Sequence, residues 1–230
     1  MENRLKHLGL IVFLFVLNGL LMLSCKKKST EFDMGYDYFP QIQGHYVVYD
    51  VTQIITDLQV NQQDTFHYFL KAVIGDTFID NSGRIAKEYV RYLGNSMNGP
   101  WTVKDVWTTI IDQGRGELVE ENNRVVKLVF KPSSDDEWDM NVFNTLGKME
   151  CYYENIGDDY ELNGQVFKKT VTVEQENFSS YIDDRRKFEV YAKGIGLIHK
   201  HFKDNTIEFG NPQNVKKGNE LYMKAVAFGQ

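Results

Sequence analysis

Cysteine and proline are both scarce: Cys25 and Cys151 are the two cysteines among 230 residues, and there are four prolines. Basic charge is short as well. A net charge of −6 provides no cationic footprint, so no nucleic-acid partner is expected. No apolar run reaches the roughly 20 residues that a membrane-spanning helix needs. The longest, residues 8–23, includes Asn18 and Gly19. Catalytic signatures are missing too: there is no GxSxG elbow, HExxH, CxxC or GxxxxGK[ST]. "AKGIGL" begins like a dinucleotide fingerprint, but His199 stands where the third glycine belongs and a strand follows. No catalytic residue and no cofactor are therefore expected. Without an internal repeat or a low-complexity tract, the chain reads as one domain.

What the chain does have is aromatic and β-prone residues, 13% Phe, Tyr and Trp within 42% apolar residues. "HYVVYDVTQII", "TFHYFLKAVIGDTFI", "RIAKEYVRYLG", "WTVKDVWTTII", "GELVEENNRVVKLVF", "KMECYYENIG", "QVFKKTVTVEQ", "KFEVYAKG", "GLIHKHF" and "ELYMKAVAF" read as strands cut by turns. Short links between about ten or eleven strands predict antiparallel neighbours. The predicted class is mainly β (α+β): a curved antiparallel sheet or half-barrel with one or two short helices. A turn at Glu121–Asn123 suits asparagine's tolerance of positive φ. Tyr68, Leu70, Ala72 and Ile74 share one face, as do Leu221, Met223, Ala225 and Ala227, while Tyr222, Val226 and Phe228 make the opposite face apolar too. Two apolar faces suit a sheet that packs on one side and lines a cavity on the other, or a closed sandwich. "PSSDDEWDMNVFNTLG" predicts the helix: Ser134 and Glu137 stand at capping-box spacing, Trp138, Val142 and Leu146 form a stripe, and Gly147 supplies a stop.

At the start, Arg4 and Lys6 precede the apolar residues 8–23, the pattern of a secretory signal. "MLSC" then resembles the lipobox of bacterial lipoproteins, with Met22 in place of the usual leucine and Leu23 in place of a small residue. The resemblance implies a signal peptide over 1–24, acylation of Cys25, a tether over 25–38 and a single β-rich domain over 39–230. The alternative is an uncleaved signal anchor. Several acyl chains at ~0.8 kcal/mol per buried methylene make such a tether effectively permanent. Lys26, Lys27 and Lys28 would lie against lipid headgroups. Cys151, left without a partner, reads as a small buried hydrophobe.

Candidate site residues are few. His199 and His201, at i and i+2 on one strand face, are weak candidates for a metal site if a carboxylate or another histidine such as His45 or His67 joins them; otherwise they are half-exposed surface residues. Asp135, Asp136, Glu137, Asp139, Asp158, Asp159, Glu161, Asp183 and Asp184 form acidic clusters without the spacing of a calcium loop. They serve as turn residues, or as paired carboxylates if a cleft joins them. Trp101, Trp107, Tyr152 and Tyr153 suit core packing or stacking on sugars and acyl chains.

"YFPQIQGHYVVYDV" and "FEVYAKGIGLIHKHF" resemble stretches of a group of uncharacterised lipoproteins of the Bacteroidota. The combination of lipid anchor and antiparallel meander is similar, at the level of fold alone, to the half-barrel lipid carriers of the LolA and LppX kind. These resemblances imply a non-enzymatic protein of the cell envelope, anchored to the inner or outer membrane through Cys25, with its domain in the periplasm or at the cell surface. It would bind an apolar or amphiphilic ligand or a partner. The alternatives are an assembly subunit of an envelope complex and a carbohydrate-binding lipoprotein.

Overall fold

A computed structural model describes residues 33–230. The expected signal peptide, Cys25 and most of the expected tether lie outside the described residues. The strands are β1 (Tyr46–Asp57), β2 (Gln62–Ile79), β3 (Ile85–Gly94), β4 (Thr102–Asp112), β5 (Arg115–Glu120), β6 (Asn123–Val129) and β7 (Glu137–Asp139). After them come β8 (Glu150–Glu154), β9 (Tyr160–Leu162), β10 (Gln165–Phe167), β11 (Thr170–Ser179), β12 (Asp183–Ala192), β13 (Gly196–Glu208) and β14 (Asn211–Gly229).

Twelve of these form one antiparallel sheet in the order β6-β5-β4-β3-β2-β1-β14-β13-β12-β11-β8-β7, and β9–β10 form a separate hairpin. The order is a meander joined in its middle by the pairing of β1 with β14. Its two edges meet. The Val126 N–H in β6 donates to the Met140 carbonyl just beyond β7 at 2.9 Å, and the Trp138 indole donates to the Val126 carbonyl at 3.0 Å. The sheet is thus a nearly closed barrel, further wrapped than the half-barrel expected, and closure protects edges that an open sheet would expose.

Local chemistry sets the turns. Glu121 and Asn122 both take positive φ (48° and 65°), the geometry of a two-residue hairpin that matches strand twist. The predicted strand over 165–175 is broken into β10 and β11 at Lys169, which also has positive φ.

The predicted helix is not formed. Its residues make β7 and a series of turns, because their short polar side chains bind nearby backbone instead of solvent. Asp139 Oδ1 accepts from the N–H groups of Asn141 and Met149, both at 2.9 Å. Asn141 Nδ2 donates to the Gly147 carbonyl at 2.8 Å, and Asn144 Nδ2 to the Arg124 carbonyl at 2.9 Å. Trp138 packs on Tyr153, whereas Val142 and Leu146 are 57% and 63% exposed, so the stripe is not a packing face. Helical geometry among the described residues is limited to single 3-10 turns at Tyr36–Tyr38 and Leu58–Val60.

Residues 34–45 cross one end of the barrel and plug it. The tether boundary expected at residue 38 therefore moves back, since Tyr38 is a core residue. The Lys131 N–H donates to the Met34 carbonyl and the Gly194 N–H to the Asp37 carbonyl, at 2.7 and 2.8 Å. Gln41 Nε2 donates to Thr109 Oγ1 at 2.8 Å, and His45 Nε2 meets the Ile195 carbonyl at 2.9 Å. Two glycines leave room for this segment: a Cβ on Gly116 would lie 3.1 Å from the Phe39 ring, and one on Gly196 (φ 91°) 3.3 Å from Pro40. "YFP" and the "GIG" turn, far apart in the sequence, thus meet in space.

Two buried clusters make up the core. One gathers Leu118, Leu128, Cys151, Val171 and Val173 near the closure. The other gathers Val47, Tyr49, Val51, Leu70 and Ala225 on the opposite wall. The β9–β10 hairpin adds a patch of second layer, where Phe167 approaches Phe228 and Tyr160 approaches His199.

Candidate functional site

The inward face of the barrel changes along its length. On β2, Ile74, Ala72 and Leu70 are buried, Tyr68 is half-buried and Phe66 is 47% exposed. On β1, Val47, Tyr49 and Val51 are buried, whereas Gln53 and Ile55 are half-buried. These positions pair across the two strands, Val47 with Ala72 through Gln53 with Phe66, so they share one face. The lumen is sealed at the plugged end and open at the other. Above the plug is a cavity of about 100 Å3, set in about 780 Å3 of atom-free space that reaches solvent.

Most of its wall is apolar, including Leu70, Ala72, Trp107, Leu197 and Met223. A chain of charges crosses it. Glu189 on β12 is fully buried and accepts from the Tyr191 hydroxyl at 2.6 Å, Lys127 Nζ at 2.8 Å and Lys200 Nζ at 3.0 Å. Lys127 also contacts Glu120 at 3.2 Å. Glu189 and Lys200 are cross-strand partners, so their contact is local. Lys127 is different. It is the extra residue of a bulge in β6, where Val126 pairs with Glu117 and Leu128 with Gly116. Val125 pairs with the lumen-lining Leu118, so Lys127, two residues on, faces inward by ordinary alternation, and the bulge brings Leu128 to the same side. Because β6 and β12 are not neighbours in the sheet, the Lys127–Glu189 pair spans the lumen.

Burial alone would raise the Glu189 carboxyl, but Lys127 and then Lys200 outweigh it and hold the group well below the usual carboxylate range. Burial likewise disfavours charge on Lys127, yet Glu120 and Glu189 keep its ammonium well above the usual value. Nearby, the Tyr89 hydroxyl is pushed up to about 12 by burial and is hydrogen-bonded to Tyr49, whose own hydroxyl donates to the Leu197 carbonyl at 2.9 Å. Arg91 stacks over Trp107, 3.1 Å from the ring centroid, and is held by both carboxylate oxygens of Asp105 at 2.6 and 2.5 Å.

The sequence-derived candidates lie elsewhere or play other parts. His199 and His201 do share a face, outside the lumen. His199 Nδ1 meets the Tyr160 hydroxyl at 2.7 Å, and its Nε2 is buried without a hydrogen-bond partner. Burial first, then the charges of Lys224 and His201, push its pKa down to about 4. His201 Nε2 lies 3.2 Å from Glu220, and its ring stacks on Tyr222. His45 belongs to the plug, and His67 contacts Thr52 at 3.1 Å. Among the described residues, no three His, Cys, Asp or Glu side chains form a group that could hold a metal. Asp136 and Asp139 bind local backbone, and Asp184 pairs with Lys203 at 2.9 Å. Trp107 lines the cavity, Tyr153 is core and Tyr152 is exposed. Cys151 is fully buried, its thiol pushed up to about 12 by burial.

Sequence reasoning missed Glu189, Lys127, Lys200 and Glu120. The signal was available: Lys127 in "VVKLVF" and Glu189 in "FEVYA" are single charges inside apolar strands. Compared with protein-family models, curated proteins and solved structures, the chain gives no match.

Proposed function

We propose that this protein is a non-catalytic, lipid-anchored component of the cell envelope that takes an amphiphilic ligand into its barrel lumen. The observation that carries this reading is the gradient of exposure along the inward face, from buried Ile74 to exposed Phe66, above a plug that closes the opposite end. A packed core has no need of an open mouth, and concave, mostly apolar sites with a few placed polar groups are the usual form of ligand pockets. The lipobox-like "MLSC" supports anchoring through Cys25. Native mass spectrometry of the protein extracted from envelope membranes tests the reading. A retained adduct of lipid mass is expected. A clean apo mass, together with failure of an apolar fluorophore to bind, would overturn it.

A role as an assembly subunit is favoured by a separate feature. Tyr181 and Phe209, 69% and 73% exposed, stack at 5.0 Å on neighbouring hairpin tips at the open rim. Recovery of one stoichiometric partner after crosslinking, lost in Phe209→Ser, would support that role instead.

A further inference from the structure

We infer that the lumen selects a ligand whose head carries both a cationic and an anionic group: a zwitterionic amphiphile. This inference rests on the carrier reading and adds the class of ligand. Its basis is the way the charge chain ends. Lys200, Glu189, Lys127 and Glu120 alternate in sign, and the inner pair satisfy each other across the lumen. The outer two do not close the chain. Among the described residues, Lys200 has Glu189 as its one ionic contact, and Glu120 has Lys127. Both side chains are partly exposed, at 23% and 24%, and both line the cavity. An ammonium has three donors and a carboxylate about four acceptor sites, so each end has unused capacity facing the ligand space.

Lys127 and Lys200 contact the same oxygen of Glu189, and the three contacts in series are 3.0, 2.8 and 3.2 Å, which keeps the two free ends within about 9 Å of each other. Other charges at this level are already matched. Arg91 is held by Asp105, and Lys187 by Glu176 and Asp204, at 2.6 and 3.2 Å.

The alternatives each fail at one end. A fatty acid would satisfy Lys200 but bring a carboxylate towards Glu120. A long-chain ammonium would satisfy Glu120 and face Lys200. Each puts like charges together in a site of low dielectric, which is how binding sites reject near neighbours. A plain alkane would strip water from both ends and give nothing back. A zwitterionic head meets both. Its chain then runs along the apolar wall of Val51, Leu70 and Met223 towards Phe66 at the mouth.

The test is photolabelling of the full chain in envelope membranes with diazirine-bearing probes: an alkane, a fatty acid, an alkylammonium, a monoacylglycerol and a lysophosphatidylethanolamine. Peptides from β1, β2 and β14 are quantified by mass spectrometry. The lysophosphatidylethanolamine is expected to label them about tenfold more than any other probe, the scale of one charge-assisted hydrogen bond gained. In Glu120→Gln and in Lys200→Met that preference is expected to collapse towards one, while Lys200→Arg retains it. Both positions are partly exposed, so loss of the fold is not the expected cause; Lys200→Arg checks this directly. Equal labelling by all headed probes, or a preference untouched by Glu120→Gln, overturns the inference and leaves the carrier reading standing. Absence of lumen labelling by every probe, the alkane included, overturns both.

Discussion

Replacing Lys127 by methionine removes the one ammonium that reaches Glu189 from across the lumen while keeping a side chain of similar length. Glu189 is then buried with Lys200 and the Tyr191 hydroxyl as its remaining partners. Breaking a buried pair by removing one member costs about 3–5 kcal/mol, and the surviving contacts place this case near the lower figure, about 3 kcal/mol. Glu189→Gln keeps an acceptor for Tyr191 and leaves Lys127 with Glu120, so a smaller cost of about 2 kcal/mol is expected. In the double variant neither charge is stranded, and the loss should stay near 3 kcal/mol instead of the additive 5, a coupling of about 2 kcal/mol. Urea unfolding followed by tryptophan emission measures all four corners, since Trp107 lines the lumen and Trp138 sits at the closure. Additivity within about 0.5 kcal/mol would refute the cross-lumen pair as an energetic unit.

The same pair shapes the dependence of stability on pH. Glu189 titrates below its unfolded value, so its stabilisation is present above about pH 4.5 and is lost as pH falls through the folded value; Lys127 titrates above its unfolded value, so its share is present below about pH 10.5 and is lost at higher pH. His199, neutral in the fold down to about pH 4 against 6.5 when exposed, adds a decline that begins near pH 6.5 and ends near pH 4. With solvent screening its size is about 1–2 kcal/mol. Denaturation curves of His199→Asn, which keeps an acceptor for Tyr160, should lack that step, and an unchanged profile would remove His199 as its source. Gly116→Leu drives a side chain into Phe39 and should cost about 2 kcal/mol or more while raising proteolysis near residue 40; wild-type stability would mean the plug is not fitted there. Thiol titration of protein matured in the envelope should find no reactive group in the native state and one after denaturation, because Cys151 is buried and Cys25 is expected as a thioether. Two thiols would overturn the lipidation of Cys25.

The sheet was legible where the chain obeys a period of two, and illegible where it leaves that period. Tyr68, Leu70, Ala72 and Ile74 read correctly as one face because β2 has no bulge between them. The segment after Ser134 misled because its acidic and amide residues fit a helix start and a backbone-binding turn equally well. What decided between them was a long-range bond, from the Trp138 indole to Val126, that no local window contains. The site was harder still. A lone lysine at position 127 stands out in its strand, but its partner Glu189 lies 62 residues on, in a strand that is not a neighbour of β6, and no local window joins the two.

Plug, bulge and charge chain also constrain one another. Without Lys127, Glu189 would have only Lys200 as its ionic partner, and a fully buried carboxylate so placed would be poorly compensated. An apolar pair at the two positions would be as stable or more so by the same accounting, because desolvation offsets much of what a buried ion pair gains. Stability therefore does not explain why a lumen walled by Leu70, Ala72 and Met223 contains the alternating chain Lys200, Glu189, Lys127 and Glu120. The proposed ligand with a charged head would explain them, since an open mouth at Phe66 and a sealed end at Phe39 and Pro40 would give it one way in and one place to stop.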